Sequence, residues 1–436
     1  MTIKKGLSKI TPQAVFYIVA LAGILGFLLY AFIVQDTSTF NWLVMEHNGN
    51  WEFADYFAHV FFGRDLLETY HSFDVDPCFP PLAYLFYHFM YCINPAGEMA
   101  AGRTDVMNYF YNMFLFLVYT VISAVLFAYA VQFYMQSHVK LQAGNELEAS
   151  RRRTGQSMLL TVTVLFSAPF FGSAIERGNA VFPVCAMLLL ALAFKDSENK
   201  VLKELALILI AVAANFKLYP AILGLLYLKE KRYKEAFRLV LYGGLLFVLP
   251  FVFFGGIEGI KDYLVIMYLM EGRSIERLTT VRGVVTSAFM AAGGEGMKWT
   301  GHAVGRVVEN IYLIFALAGF WVSRNKWKSL LLLVSPMVIY VSSAYRYTVI
   351  YLFLALICFL CMLQVSEQKH TWMDYVYAIL FGLLFTIPIW TIGYELENFM
   401  YLIVYILVAA VLADVAAEFA VQLKRKKKEM KTASET

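Results

Sequence analysis

Long apolar runs alternate with short charged stretches along the whole chain. The stretch "AVFYIVALAGILGFLLYAFIV", from Ala14 to Val34, holds no charged residue. As a helix it is long enough to cross a hydrocarbon core of about 30 Å. Further runs lie near 107–135, 157–173, 180–194, 204–217, 219–228, 239–254, 308–322, 329–343, 347–364, 373–391 and 399–415. Together they predict a bundle of about twelve transmembrane helices. Two stretches break the rule. In "LALILIAVAANFKLYPAILGLLYL", Leu205 to Leu228, neither half is long enough to span, so the pattern predicts half-helices meeting at an Asn-Phe-Lys-Leu-Tyr-Pro break. "PPLAYLFYHFMYC", Pro80 to Cys92, is also too brief. It is expected to lie in the interface or dip back, with the prolines setting its start and its tyrosines at headgroup depth.

Composition agrees: 60% of the 436 residues are hydrophobic and the mean hydropathy is +0.62, against about 45–50% apolar in a soluble domain. The fold class is therefore an all-α polytopic membrane protein, one domain over 1–436. The formal net charge of +4 does not indicate a nucleic-acid partner, because the basic residues fall in short loops and in the tail "KRKKKEMK". Placing the N-terminus in the cytoplasm puts "RRR" (Arg151 to Arg153), "KDSENK", "KEKRYK", "SRNKWK" and the tail 423–436 on the inner side, with most of the Lys and Arg. Both termini of a plasma-membrane protein then face the cytoplasm. Residues 35–106 and 255–307 become the two large extracytoplasmic loops. The basic start "MTIKKGLSK" looks like a signal, but its apolar run is too long and lacks a cleavage site, so a retained first helix is expected. No inverted duplication is visible, which counts against many transporter folds.

Charges that survive in so apolar a chain identify the candidate chemistry. Asp55 opens "DYFAHVFFGRDLLETY", and if the segment is helical His59 shares its face at i+4. A partly desolvated carboxylate there would have a raised pKa and serve as a general base; the alternative is a solvated loop acid. Arg64 and Glu68 at i, i+4 read as a pair stabilising a surface helix. Asp74 and Asp76 offer carboxylate oxygens to a divalent cation, but two acids do not make a site, and no metal is expected. "SAIERGNAVFPV" places Glu176, Arg177 and Asn179 in a tight turn. There Arg177 suits bidentate phosphate binding and Asn179 can cap the next helix, the alternative being a Glu176–Arg177 ion pair. Lys217 lies at the half-helix break, where an ionisable residue is costly and by default functional, or else snorkels. Arg346, between Tyr345 and Tyr347, can clamp phosphate or anchor in the aromatic belt. Arg273, Arg277 and Arg282 have roughly helical spacing and could line an acidic-lipid groove. Cys78 and Cys92 could pair on an oxidising face. The sequence lacks GxxxxGK[ST], HExxH and GxSxG, so nucleotide hydrolysis, zincin chemistry and a hydrolase elbow have no support.

The order of these motifs, a first helix, "DYFAHVFFGRDLLETY", "FPPLAYL", Arg177-Gly178-Asn179, then Lys217 with Pro220, resembles the GT-C membrane glycosyltransferases. It is most similar to glycosyltransferase family 87, the polyprenyl-phosphate-mannose-dependent mannosyltransferases. The resemblance covers about 10–255, with "ERGN" where the family usually shows Gly-Gln-x-Asn and Phe79 where Tyr is usual. It implies Asp55 as catalytic base, with His59, Glu176, Arg177, Asn179, Lys217 and Arg346 around the substrates. A polyprenyl-phosphate sugar, with hexose (mannose) as the sugar, would be donor, and a hydroxyl of a glycan or glycolipid would be acceptor. Transfer would be inverting, on the extracytoplasmic side of the bilayer, without a cofactor. A lipid-linked glycan flippase, ligase or polymerase is the alternative, and after it a small-solute transporter. A transporter should keep its ionisable groups mid-span, whereas here the acids gather in one outer loop.

Overall fold

The computed structural model describes residues 10–35, 54–71, 77–93, 110–138, 146–270, 278–341, 345–365, 370–389 and 396–435. Among them every regular element is helical. Helix α1 (Pro12–Val34) starts where Thr11 accepts a hydrogen bond from the Ala14 amide, with Pro12 in the first turn. Two short helices follow, α2 (Ala54–Phe62) and α3 (Pro81–Cys92). Then come α4 (Phe110–His138), α5 (Glu146–Leu165), α6 (Val181–Phe194), α7 (Lys200–Phe216) and α8 (Tyr233–Val248).

The C-terminal half contains α9 (Ile257–Met270), α10 (Val281–Gly293), α11 (Lys298–Val322), α12 (Lys326–Val334), α13 (Phe353–Val365), α14 (Trp372–Leu384) and α15 (Leu396–Glu435). Residues 255–307 thus carry α9, α10 and the start of α11.

Among the described residues six helices are long and apolar enough to cross a membrane, or seven if 148–165 and 168–176, bent by 61°, form one span. The twelve spans expected from the apolar runs are not confirmed. The run at 219–228 forms a 3-10 turn (Tyr219–Gly224) and one α-turn (Leu225–Lys229). The run at 329–343 divides at Pro336, since proline cannot donate to the preceding turn. Helix α6 is too short to count among these spans, yet almost every side chain on it is buried, as a helix that is apolar all round requires. It packs between α4 and α7 and against the 346–352 segment, so the apolar core of the molecule lies around it.

Close approaches and buried ion pairs join the remaining helices. A side chain on Gly382 would meet Val19 Cβ at 2.7 Å, so α1 and α14 pack closely at this glycine. Lys328 Nζ reaches Asp414 at 2.7 Å and Glu418 at 2.6 Å, and Tyr377 donates to the same Asp414 carboxylate at 2.8 Å. These bonds tie α15 to α12 and α14. Arg282 does not face a lipid groove. It is buried between α10 and α11, with Nε 2.9 Å from Glu309, while Arg273 and Arg277 lie outside the described residues. No disulfide joins Cys78 and Cys92.

Candidate active site

The expected half-helix break is present: α7 ends at Phe216, Lys217 is extended (φ −146°, ψ 127°), and the chain re-enters a helical turn at Tyr219 and Pro220. This break, the start of α2 and the "ERGN" turn converge on one buried cluster. Asp55 sits in the first turn of α2, where backbone N–H groups have no partner within the helix. The amides of Asp55 and Tyr56 instead donate to the Arg177 carbonyl at 3.0 and 3.1 Å. Arg177 Nη2 also lies 2.8 Å from Asp55 Oδ1, so one residue caps the helix and neutralises its first acid.

Each member of the "ERGN" turn has a separate role. Residues Phe171–Glu176 form a π-helical turn, a geometry concentrated at functional sites. It projects Glu176 away from its neighbour Arg177 and onto Arg346, whose Nε is 2.7 Å from the Glu176 carboxylate. The adjacent Glu176–Arg177 pair considered from sequence is therefore replaced by two long-range pairs. Gly178 has φ +57°, and a Cβ there would lie 2.7 Å from Tyr56 Cβ and 2.8 Å from the Phe116 ring. Asn179 donates to Asp55 Oδ2 at 2.5 Å while its Oδ1 accepts from the Val181 amide at 3.0 Å. It thereby holds the first amide of α6 and orients Asp55 at once.

Aromatic rings enclose the cations. Lys217 Nζ lies 3.7 Å above the Phe79 ring and 5.6 Å from that of Tyr347. Arg177 lies 5.3 Å from the Tyr345 ring, and Tyr345 stacks on Tyr347 at 5.6 Å. His59, on the Asp55 face as the spacing predicted, places Nδ1 2.9 Å from the Tyr84 hydroxyl, with Phe79 against its ring at 3.8 Å. Among the described residues the buried Nε of Arg177 has no hydrogen-bond partner. The Lys217 ammonium, likewise buried, makes cation–π contacts but no hydrogen bond or ion pair among them.

Electrostatics reverse one expectation. Burial pushes the Asp55 carboxyl upward, but Arg177, His59 and Lys217, with the Asn179 hydrogen bond, outweigh it and hold the group below its ordinary value. Desolvation lowers Lys217 to about 8, with Arg177 adding to the effect and Cys78 and Asp55 opposing it. Arg64 and Glu68 do not pair. The segment after Phe62 is a series of turns, and Arg64 stacks on Phe61 at 3.8 Å. Among the described residues no group of three His, Cys, Asp or Glu side chains converges as a metal site; Asp74 and Asp76 lie outside them. Phe79, Tyr345 and Tyr347 were visible in the sequence as aromatics beside Pro80 and Arg346, but nothing local marked them as the walls around Lys217 and Arg177.

The sequence model of glycosyltransferase family 87 matches residues 80–343, more than half of the chain. The chain belongs to glycosyltransferase family 87. The family match contains Glu176, Arg177, Asn179 and Lys217 and begins after Asp55 and His59, further along the chain than the 10–255 expected from the motifs. Comparison with curated proteins and with solved structures gives no match. Membership makes this apolar helical protein a membrane glycosyltransferase, and its buried cluster of two acids, Asp55 and Glu176, with Arg177, Lys217 and Arg346 is the candidate site of transfer.

Proposed function

We propose that the protein transfers a hexose, mannose by the family resemblance, from a polyprenyl-phosphate donor to a hydroxyl of a glycan or glycolipid on the extracytoplasmic side. The observation that carries this reading is the pair of buried donors without hydrogen-bond acceptors among the described residues, Arg177 Nε and the Lys217 ammonium, beside the Asp55 carboxylate that Asn179 orients. Buried donors are normally satisfied. A phosphate at the cluster would accept from both, and its leaving charge would be stabilised where it develops.

In the resting site Asp55 is a weak base because Arg177 neutralises it. A donor phosphate competes for Arg177, and as the guanidinium turns toward it the Asp55 carboxylate loses its strongest charge partner and becomes more basic. The acceptor oxygen then attacks the anomeric carbon, its proton passes to Asp55, and the carbon–oxygen bond to phosphate breaks. Polyprenyl phosphate leaves with the bonding electron pair. With Glu176 engaged by Arg346, Asp55 is the carboxylate of the cluster left to act, which gives inversion at the sugar carbon. Arg346 and Glu176 act as the frame that holds the "ERGN" turn.

The test is turnover of radiolabelled polyprenyl-phosphate mannose by membranes containing wild type or Asp55→Asn. Loss of a general base lowers the rate by roughly 10²–10⁴-fold. Full-rate transfer by folded Asp55→Asn would remove Asp55 from the chemistry.

A further inference from the structure

A cavity of about 900 Å³ opens at the other end of the bundle, where α4, α6 and α11 end and α12 begins. Helix α4 touches the "ERGN" turn through Phe116 and lines this cavity with Tyr134 and His138. The rise of a helix therefore separates the two sites by ~27 Å. Whichever face of the membrane the Asp55 cluster meets, the cavity meets the other.

Its floor is apolar, formed by Leu192, Leu226, Leu330 and Met362. Most of its charges are already compensated. Lys195 bonds Glu230 at 2.6 Å and Asp196 at 2.9 Å, and Arg232 reaches the same two acids. Lys229 spends its three protons on the Phe320 and Ser323 carbonyls and the Ser329 hydroxyl, at 2.5, 2.9 and 2.6 Å. Two cations remain. Arg324 and Lys326 are exposed, line the cavity and make no ion pair or hydrogen bond among the described residues. Lys326 opens the first turn of α12, where a positive charge opposes the helix dipole unless an anion sits beside it. The buried indole N–H of Trp327, on the same wall, also has no acceptor among the described residues. Trp321, 52% exposed on the lining, is the kind of residue that marks headgroup depth.

We propose that this cavity binds an amphiphile with a phosphomonoester head. The two uncompensated cations match the charge of about −1.5 to −2 that a phosphomonoester carries at neutral pH, and the apolar floor takes the first part of its chain. The site stands apart from the transfer chemistry and does not depend on the reading of the Asp55 cluster.

Full-length protein exchanged into an equimolar mixture of dioleoyl phosphatidic acid and dioleoyl phosphatidylcholine, then examined by native mass spectrometry, tests it. Wild type is expected to retain one phosphatidic acid with roughly ten-fold preference. Arg324→Ala/Lys326→Ala loses that preference, Arg324→Lys/Lys326→Arg keeps it, and Met362→Trp, which fills the floor, abolishes retention. Equal retention of the two lipids by wild type, or a preference untouched by the alanine pair, overturns the proposal. Displacement of the lipid by excess inorganic phosphate, with Met362→Trp silent, would also overturn it and assign the site to a soluble phosphate.

Discussion

At Lys217, burial without a hydrogen-bonding partner among the described residues makes the protonation state a functional variable. Its ammonium is held down to about 8 chiefly by desolvation. Because the folded pKa is lowered, the cation is present below about 8 and is lost as pH rises through that value. If Lys217 meets the donor phosphate, kcat/KM, which reports the free enzyme, should fall along an alkaline limb near 8. Lys217→Arg keeps its charge throughout and should remove the limb, whereas Lys217→Ala should lower kcat/KM by roughly 10²–10³-fold. An unchanged pH profile in Lys217→Arg would place the lysine outside phosphate recognition. Sequence reading reached this residue because an ionisable group at a helix break is conspicuous. It did not reach the sign of the Asp55 shift, because Arg177 is far away in the chain yet in ion-pair contact, and only the fold sums the charges around a carboxylate.

The "ERGN" turn shows what an element adds to its residues. Arg177 grips α2 through its carbonyl and guanidinium only if Gly178 turns back at φ +57°, in a space where Tyr56 Cβ would be 2.7 Å from any added Cβ. Gly178→Ala combines a left-handed conformation with overpacking and should destabilise the protein by about 2–4 kcal/mol. A lowered apparent Tm in detergent measures this, and transfer should fall with it because Asp55 loses its cap and its cation together. A wild-type melting curve and wild-type turnover in Gly178→Ala would mean the turn relaxes independently of α2. A tight turn was legible from the glycine and the charges. Its partners were not, since Glu176 and Arg346 meet across 170 positions, and no periodicity reports such a contact. Apolar runs likewise identified helices but not spans, because run length does not tell a membrane crossing from a buried helix such as α6.

On the scale of the whole molecule, three basic stretches separated in sequence gather at one end. Lys195, Lys229, Arg324 and Lys326 line the same cavity, while Asp55, Arg177 and Lys217 occupy the opposite end. Positive loops remain on the cytoplasmic side during insertion, so this polarity predicts an orientation with the Asp55 cluster outside. Surface labelling checks it. Cys92, at the end of α3 near the cluster, and Lys231, near the cavity, are both exposed and lie at the two ends. In intact cells a membrane-impermeant maleimide should modify Cys92 in wild type. It should spare the Lys231→Cys/Cys78→Ser/Cys92→Ser variant, whose introduced thiol should react only after permeabilisation. The reverse pattern would place the Asp55 cluster against the cytoplasm. Sugar nucleotides would then be accessible as donors, and the argument for a polyprenyl-phosphate sugar would lose the membrane sidedness on which it depends.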